Sequence, residues 1–320
     1  MAFRTPLPLE DAQRIGERYG LKVEAVTGIP LGSVNSNYEL HTQGGGRVFL
    51  RIFEEQSRDN ATREVKILDH LAAGGVPTPK PLRRIDRKAF ISSFADKPVA
   101  VFPWAEGESI CQARVTPEVA FQVGGALARV HLASADFEGA PMSRFGITKL
   151  EARLESIPRA ARNAELAANI RSLAFRLEVM PRFTTPKLGV IHGDLFRDNV
   201  LWNGPAICAL LDFESASRGS PAFDLSVTIL AWCYGDDLDA ELCRALVAGY
   251  QQARHVSPIE RGELFHQARL AAIRFAVTRI TDYELRPRGS SMWRDYRRFL
   301  ARLLRVEALG EAGLLTHLGL

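Results

Sequence analysis

The sequence has few cysteines, and their positions suggest neither a metal site nor a redox motif. Its 320 residues include four cysteines, which form no CxxC pair and no cluster of possible metal ligands. This usage fits a protein of a reducing compartment. The four are Cys111, Cys208, Cys233 and Cys243.

Long apolar runs are also missing. No stretch approaches the roughly 18 consecutive apolar residues that a membrane-spanning helix needs. Residues 1–10 contain no continuous apolar segment of the kind found in signal peptides. Internal repeats and low-complexity tracts are not evident either. We therefore expect a cytoplasmic protein with no membrane partner.

An excess of one charge sign is nearly absent. The 41 Lys and Arg residues and the 37 Asp and Glu residues give a net charge of +4, and the basic residues are dispersed along the chain. A nucleic-acid partner is therefore not expected, because such proteins concentrate basic residues on one patch. The length and the 46% hydrophobic content indicate a globular chain with one large or two medium domains.

The residues that carry chemistry are concentrated between positions 190 and 224. His192, Asp194 and Asn199 form the pattern HxDxxxxN, and an apolar run further on ends at Asp212. Phosphoryl transfer needs a carboxylate that orients the acceptor hydroxyl and oxygen ligands that hold Mg²⁺ against the phosphates. The pattern therefore predicts Asp194 as the catalytic carboxylate and predicts Asn199 and Asp212 as the ligands of Mg²⁺.

The local sequence predicts how these residues meet. Residues 199–202 and 206–211 are typical of two strands, and the segment Asn203-Gly204-Pro205 between them is a turn signal. A hairpin of this kind would bring Asp212 back beside the loop that carries Asp194.

An arginine stands in the middle of an alternating strand in the first third of the chain. Residues 47–53 alternate between two faces, and Arg51 lies among apolar neighbours. A buried cation needs a partner. We expect that partner to be Glu64, on a helix predicted over residues 60–71; the alternative is that Glu64 is an exposed helix residue.

Beyond residue 106 the sequence is mainly helical. Thr116 followed by Pro117 predicts a helix start, and two capping boxes, Thr148 to Glu151 and Ser257 to Glu260, predict two more. The long helix that begins after Ser257 should extend to about residue 283.

The segment HGDLFRDNVLW at residues 192–202, with Asp212 beyond it, resembles the aminoglycoside phosphotransferase and choline kinase superfamily. Within it, the segment is most similar to bacterial type II homoserine kinases. The resemblance extends from about Leu31 to about Leu304. It implies an α+β, two-lobed protein-kinase-like fold, with a small β-rich N-lobe at residues 1–105 and a larger, mainly helical C-lobe at residues 106–320.

The same resemblance implies an ATP- and Mg²⁺-dependent kinase for a small hydroxylated acceptor, namely homoserine. The loop around Ser33 would cover the nucleotide, and Arg51 would stand where related enzymes carry a phosphate-binding lysine. The backbone of residues 102–104 would bind the adenine edge where the lobes join. The predicted nucleotide-binding residues are Ser33, Arg51, Glu64, Phe102 and Trp104. For the loop at Ser33, a plain hairpin is the alternative.

The acceptor site is predicted in the helices that follow Asp224, a residue that the resemblance implies fixes the catalytic loop. An amino acid acceptor needs a cation for its carboxylate and an anion for its ammonium group. Arg279 and Asp282 are three residues apart on one predicted helix face, and Trp232, Arg274 and Tyr283 are further candidates. The alternative for Arg279 and Asp282 is a simple intrahelical salt bridge.

Three other functions stay open at this stage. The first is a kinase for another small acceptor: choline, an aminoglycoside, methylthioribose or an amino sugar. The second is a non-catalytic nucleotide-binding regulator, because Arg51 replaces the usual lysine. A protein kinase is disfavoured, because Asp212-Phe213-Glu214 replaces Asp-Phe-Gly and no Ala-Pro-Glu segment follows.

Overall fold

The computed structural model describes residues 5–30, 34–86, 88–158, 163–183, 189–285 and 293–320. The chain forms two compact units. The first comprises Met1–Glu108, Asp136–Ala140 and Leu201–Glu214, and the second comprises Ser109–Ala135, Pro141–Val200 and Ser215–Leu320. None of the helices in the described ranges has the length and apolar character to cross a membrane.

Strands predominate up to Pro103 and helices after it, apart from four short strands between residues 189 and 219. The strands are β1 (Val23–Ile29), β2 (Ser36–Thr42), β3 (Gly46–Ile52), β4 (Ser92–Phe94), β5 (Lys97–Pro103), β6 (Gly189–Ile191), β7 (Val200–Asn203), β8 (Ala206–Leu210) and β9 (Ser217–Gly219). The α-helices are α1 (Leu9–Glu17), α2 (Arg58–Ala73), α3 (Pro117–Ala133), α4 (Ile147–Glu155), α5 (Ala164–Glu178), α6 (Pro221–Trp232), α7 (Ala240–Ala253), α8 (Pro258–Arg279) and α9 (Arg297–Leu318).

The first unit is built on an antiparallel sheet with the strand order β1-β2-β3-β5-β4. The alternation in β3 is present as expected: Val48, Leu50 and Ile52 are buried in the core beside α1. Arg51 lies on the opposite face, because successive residues of a strand point to opposite sides of the sheet. One face of β3 therefore packs the core, and the other carries the charged residue.

The predicted hairpin β7–β8 is also present, with its turn at Gly204-Pro205. Trp202 in β7 exchanges two backbone hydrogen bonds with Glu108, at 2.9 and 3.0 Å. At the far end of β8, the amide of Leu210 donates to the carbonyl of Pro77. These bonds attach the hairpin to the first unit and fix the position of Asp212, two residues beyond its end.

Capping explains most of the helix starts in the second unit. Thr116 accepts a hydrogen bond from the amide of Val119, and the predicted box of Ser257 and Glu260 has both reciprocal bonds. The capping box predicted at Thr148 is wrong. Helix α4 begins at Ile147 behind an extended Gly146, so Thr148 already lies inside the first turn.

Helices α3 and α7 approach each other closely through two glycines. A Cβ atom on Gly124 would lie 1.9 Å from the carbonyl oxygen of Leu246, and one on Gly249 would lie 1.9 Å from that of Phe121. Only glycine allows this separation. The close contact places the buried side chains of His131 and Tyr250, one from each helix, side by side.

Candidate active site

The catalytic loop predicted from the sequence follows β6 and is held in a conformation that needs glycine. Gly193 has a φ of +74°, and a Cβ atom there would lie 3.2 Å from the carbonyl oxygen of Ser215. A larger residue would meet both backbone strain and a close contact. The next residue is Asp194, whose side chain is 26% exposed. The turn therefore presents a carboxylate at an accessible position.

Asp224, at the start of α6, fixes this loop from below. Its carboxylate accepts hydrogen bonds from the amides of His192 and Gly193, both at 2.7 Å. Burial by itself raises the pKa of Asp224. The hydrogen bond and charge of His131, with the contributions of His192 and Gly193, outweigh burial and bring the pKa below its ordinary value. The expectation that Asp224 fixes the loop is confirmed.

A chain of buried polar groups continues behind Asp224. The ring of His131 lies 3.0 Å from the Asp224 carboxylate and 2.7 Å from the hydroxyl of Tyr250, which accepts a hydrogen bond from Arg254 at 2.8 Å. No pattern in the sequence connects these residues with the loop. A histidine on the apolar face of α3 was the available signal, and by itself it indicates only a core position.

Two side chains brace the loop from within. His192 is buried, and its Nδ1 atom accepts a hydrogen bond from the amide of Asp194 at 3.2 Å. The side-chain nitrogen of Asn199, Nδ2, donates a hydrogen bond to the backbone carbonyl oxygen of Asp194 at 2.8 Å. This bond fixes the plane of the Asn199 amide group, so the orientation of its side-chain oxygen is also fixed.

Arg274 of α8 reaches the same loop. One of its terminal nitrogens, Nη1, donates to the carbonyl oxygen of Gly193 at 2.7 Å and lies 3.3 Å from Oδ1 of Asp194. Its side chain is 4% exposed. Burial lowers the pKa of this guanidinium, and the neighbouring Asp194 offsets part of that effect.

The first unit brings together the predicted nucleotide-binding charges. Nη1 of Arg51 lies 3.3 Å from Oε1 of Glu64, so the expected ion pair is present. Gln56 donates to the other oxygen of Glu64 at 2.9 Å. Burial raises the pKa of Glu64 to about 7; Arg51 and Gln56 act against that rise, while Asp212 and Glu214 add to it.

Asp212 follows β8 with a φ of +60°, a backbone conformation that residues other than glycine rarely adopt. Aspartate and asparagine tolerate this region better than most residues, and it is enriched at functional sites. Asp212 is half-buried and acts electrostatically on Glu64. Within the described ranges, no three His, Cys, Asp or Glu side chains cluster as metal ligands, and the predicted pair contains only one such residue.

The predicted adenine-binding segment lies at the end of β5. Phe102 is buried and pairs in register with Phe49 of β3, and the strand ends at Pro103. Trp104 follows outside the sheet, with the guanidinium of Arg47 4.9 Å from its ring. Ser33 lies outside the described residues.

The predicted acceptor residues are arranged differently from the expectation. Trp232 is fully buried, and its indole donates to the carbonyl of Leu195 at 2.9 Å. It therefore supports the loop from inside and has no exposed surface for an acceptor.

Arg279 and Asp282 do not form the intrahelical bridge. Arg279 donates to the carbonyl of Asp295 at 2.9 Å, and Asp282 lies 3.0 Å from Arg153. The reason is that α8 continues as a π-helical turn at Ile280–Glu284. Residues three apart face each other in an α-helix, but the wider turn rotates Asp282 away from Arg279.

Comparison with known proteins gives a consistent result. The model of the phosphotransferase enzyme family matches residues 25–257. A homoserine kinase of Methylocella silvestris is 33% identical, over 98% of this chain and 98% of that protein. A homoserine kinase of Methylobacillus glycogenes is 32% identical, over 99% of this chain and 98% of that protein.

Solved structures of low sequence identity share the fold. Spectinomycin phosphotransferase APH(9)-Ia, solved with ADP and spectinomycin, has a TM-score of 0.71 at 14% identity, covering 96% of this chain and 100% of that one. Amicoumacin kinase hAmiN, solved with AMP-PNP and Ca²⁺, has a TM-score of 0.68 at 17% identity, covering 94% and 93%. The predicted α+β kinase-like fold is confirmed.

Proposed function

Because the chain belongs to the phosphotransferase enzyme family, we propose that it is an ATP-dependent kinase that phosphorylates the hydroxyl of homoserine. The nearly full-length similarity to homoserine kinases supports this acceptor. The product would be O-phosphohomoserine and ADP. In this reaction the hydroxyl oxygen forms a bond to the γ-phosphorus, and the bond between that phosphorus and the β,γ-bridging oxygen breaks.

The observation that carries the proposal is the placement of Asp194. Its carboxylate stands at an accessible position on a turn whose backbone amides are held by the buried Asp224. A carboxylate held in this way can accept a hydrogen bond from an acceptor hydroxyl, orient it for in-line attack and take its proton. Little further covalent chemistry is needed from the protein.

We assign the nucleotide contacts to the first unit. Arg51, held by Glu64, would bind the phosphates, and the backbone at residues 102–104 would bind the adenine edge, as the sequence predicted. Arginine retains the charge of the usual lysine and adds further N–H donors. The loop at Ser33 would cover the nucleotide.

The donor set suits Mg²⁺. Asp212 offers an anionic oxygen, and Asn199 offers a neutral oxygen whose amide plane is already fixed. Mg²⁺ prefers oxygen ligands and usually takes only one or two carboxylates from the protein. When bound, the ion supplies charge neutralisation at the phosphate oxygens.

For the acceptor carboxylate there are two candidate cations. Arg279 was predicted from the sequence, but its guanidinium donates to the Asp295 carbonyl and stacks 4.4 Å from the ring of Phe299. Arg144 is exposed, lies 5.0 Å from the ring of Phe145 and acts electrostatically on Arg274 beside Asp194. Its exposure and its electrostatic effect on Arg274, which contacts Asp194, favour Arg144.

A panel assay tests the proposal. The purified chain is mixed with ATP and Mg²⁺ and with homoserine, serine, choline, methylthioribose, an amino sugar or an aminoglycoside, and ADP release and phosphorylated product are measured. We expect kcat/KM for homoserine to exceed that for every other acceptor by at least about 100-fold. Greater turnover of another acceptor would reassign the substrate within the family. No acceptor-dependent ADP release, together with measurable ATP binding, would favour the nucleotide-binding regulator.

A further inference from the structure

We propose that Arg274 is the positioning residue of the phosphotransfer site: its buried guanidinium fixes both the carboxylate of Asp194 and the backbone turn that carries it. The inference rests on the proposed function, because Asp194 is taken there as the group that orients the acceptor hydroxyl. Arg274 lies eighty residues further along the chain, on α8, and belongs to no part of the loop motif.

The geometry ties the carboxylate to its own backbone. A single nitrogen, Nη1, lies 2.7 Å from the carbonyl oxygen of Gly193 and 3.3 Å from Oδ1 of Asp194. Rotation of the Asp194 side chain would lengthen the second contact while the first held the guanidinium in place. Arg274 therefore restricts the direction in which the carboxylate faces.

Two aromatic rings contact the guanidinium. Its central carbon lies 3.8 Å from the ring centre of Phe275 and 4.2 Å from that of Phe145. Cation–π contact with two rings restricts the position of the group, and a lysine ammonium lacks the planar surface for such contacts. Its Nη2 atom lies 3.5 Å from the hydroxyl of Ser215.

The burial of Arg274 makes a purely structural role a poor explanation. A buried cation loses hydration, and replacing it with an apolar group of similar volume is often neutral or stabilising. Its Nε atom is buried with no hydrogen-bond partner in the described part of the chain. Burying this arginine therefore costs free energy, and its contacts with the catalytic loop offset that cost.

The chemistry requires a carboxylate that is fixed in direction. In a loose phosphoryl-transfer transition state, the carboxylate mainly orients the hydroxyl, so a cation beside it is compatible with this task. A carboxylate has about four lone-pair directions, so a donor from Arg274 leaves room for the acceptor hydroxyl. The charged and titratable groups around the pair are Arg144 before α4, His192 in the loop and Asp224 in α6.

The test compares Arg274→Met and Arg274→Lys with the matched variant Arg302→Met. Arg302 is also buried, its guanidinium stacks on Tyr234 and Phe299, and it donates to the backbone carbonyl of Leu230. It therefore controls for the loss of a buried, stacked arginine in the same unit. The measurements are Tm, KM for ATP and for the acceptor, and kcat with the acceptor that the wild type turns over best.

We expect Arg274→Met to lower kcat by roughly 100-fold, because a misplaced catalytic group costs about that factor. KM for ATP and KM for the acceptor should each stay within about twofold, because the lost contact positions the catalytic group and binds neither substrate. Arg274→Lys retains a charge but not the planar contact, so its kcat should still fall by roughly 10-fold. Arg302→Met should lower Tm without a comparable loss of kcat.

Opposite results would overturn the inference. If Arg274→Met keeps the wild-type kcat, or if Arg302→Met lowers kcat as far, Arg274 has no special task. Should Arg274→Met fail to fold, a wild-type kcat in Arg274→Lys overturns it equally. Failure of the proposed function is seen separately, because it appears in the wild type as the absence of homoserine turnover.

Discussion

The carboxylate of Asp224 accepts a hydrogen bond from the backbone amide of Gly193 at 2.7 Å. Its second oxygen accepts a hydrogen bond from the backbone amide of His192 at the same distance. That oxygen also lies 3.0 Å from Nε2 of His131. A fully buried carboxylate thus uses both oxygens to hold a turn in which Gly193 has a positive φ. The accessible Asp194 owes its position to a residue that cannot itself reach substrate.

Asp224→Asn should therefore reduce both stability and activity. Asparagine keeps the shape but turns one oxygen into an N–H donor, which would face a backbone amide that is also a donor. Leaving such a buried donor unsatisfied costs about 1–3 kcal/mol. We expect a lower urea midpoint and a lower kcat. The control is Asp198→Asn, because Asp198 is exposed in the same loop and pairs with Arg294 at the surface; equal losses in both variants would contradict this prediction.

The same residue predicts how acid acts on the protein. Because the pKa of Asp224 is lowered in the folded state, its contribution to stability is fully present above the ordinary value of 3.8 and is lost as the pH falls through the lower, folded-state value. The wild type should lose stability more steeply than Asp224→Asn below pH 4. Denaturant melts at a series of acid pH values would measure this difference.

Glu64 should make the stability of the protein depend on pH with the opposite sign. Its pKa is raised from 4.5 to about 7, so between these values the folded state holds a proton that the unfolded state has released. Its stabilising contribution is complete below pH 4.5 and is lost as the pH rises through about 7. Two and a half pH units correspond to an effect on the order of 3 kcal/mol.

Glu64→Gln should remove this pH-dependent contribution to stability. Urea unfolding of the wild type and the variant between pH 4.5 and 8 should show the variant gaining stability relative to the wild type as the pH rises. Glu55→Gln, a change at an exposed position nearby, provides the control. A pH-independent difference between the wild type and Glu64→Gln would mean that Glu64 is ionised throughout.

The fold and the main chemistry could be read from the sequence where the signals are local. The alternation around Arg51 predicted a strand with a charged face, and the ion pair with Glu64 follows from the cost of burying that arginine. The turn at residues 203–205 predicted the hairpin that ends before Asp212. In each case the residues lie in one element or in two elements that follow each other in the chain.

The remaining contacts join residues far apart in the chain. Arg274 was predicted only as a candidate for the acceptor site. Helix α8 is buried around much of its circumference, so its hydrophobic pattern does not show that Arg274 faces the catalytic loop. The bond between His131 and Asp224 spans 93 positions and depends on how α3 packs. The spacing of Arg279 and Asp282 predicted a pair because it assumed an α-helix, and the π turn removes that assumption.

Substitutions at Asp194 and at Asp212 should impair different steps, phosphoryl transfer and Mg·ATP binding respectively. Asp194→Asn removes the acceptor-orienting carboxylate, so kcat should fall by about 10²–10⁴-fold while the affinity for Mg·ATP is nearly retained. Asp212→Asn removes an anionic ligand but tolerates the same positive φ, so the fold should persist and Mg·ATP binding should be lost. Titration calorimetry and kcat measurements on both variants separate the two roles. Near-normal turnover in Asp194→Asn would refute its assignment.

The two candidate cations for the acceptor carboxylate give opposite expectations. If Arg144 binds it, Arg144→Ala should raise the acceptor KM by at least about tenfold, since a charge-assisted hydrogen bond contributes roughly 1.5–3 kcal/mol. The KM for ATP should not change. Arg279→Ala should then alter stability alone, because that guanidinium donates to the Asp295 carbonyl and stacks on Phe299.

A homoserine analogue without the carboxylate, 3-aminopropanol, makes the test sharper. The wild type should strongly prefer homoserine, and Arg144→Ala should lose most of that preference, because the carboxylate no longer meets its cation. A preference that disappears in Arg279→Ala and persists in Arg144→Ala would restore the assignment made from the helical spacing. The double comparison separates a residue that binds the acceptor from one that only supports the helix carrying Arg274.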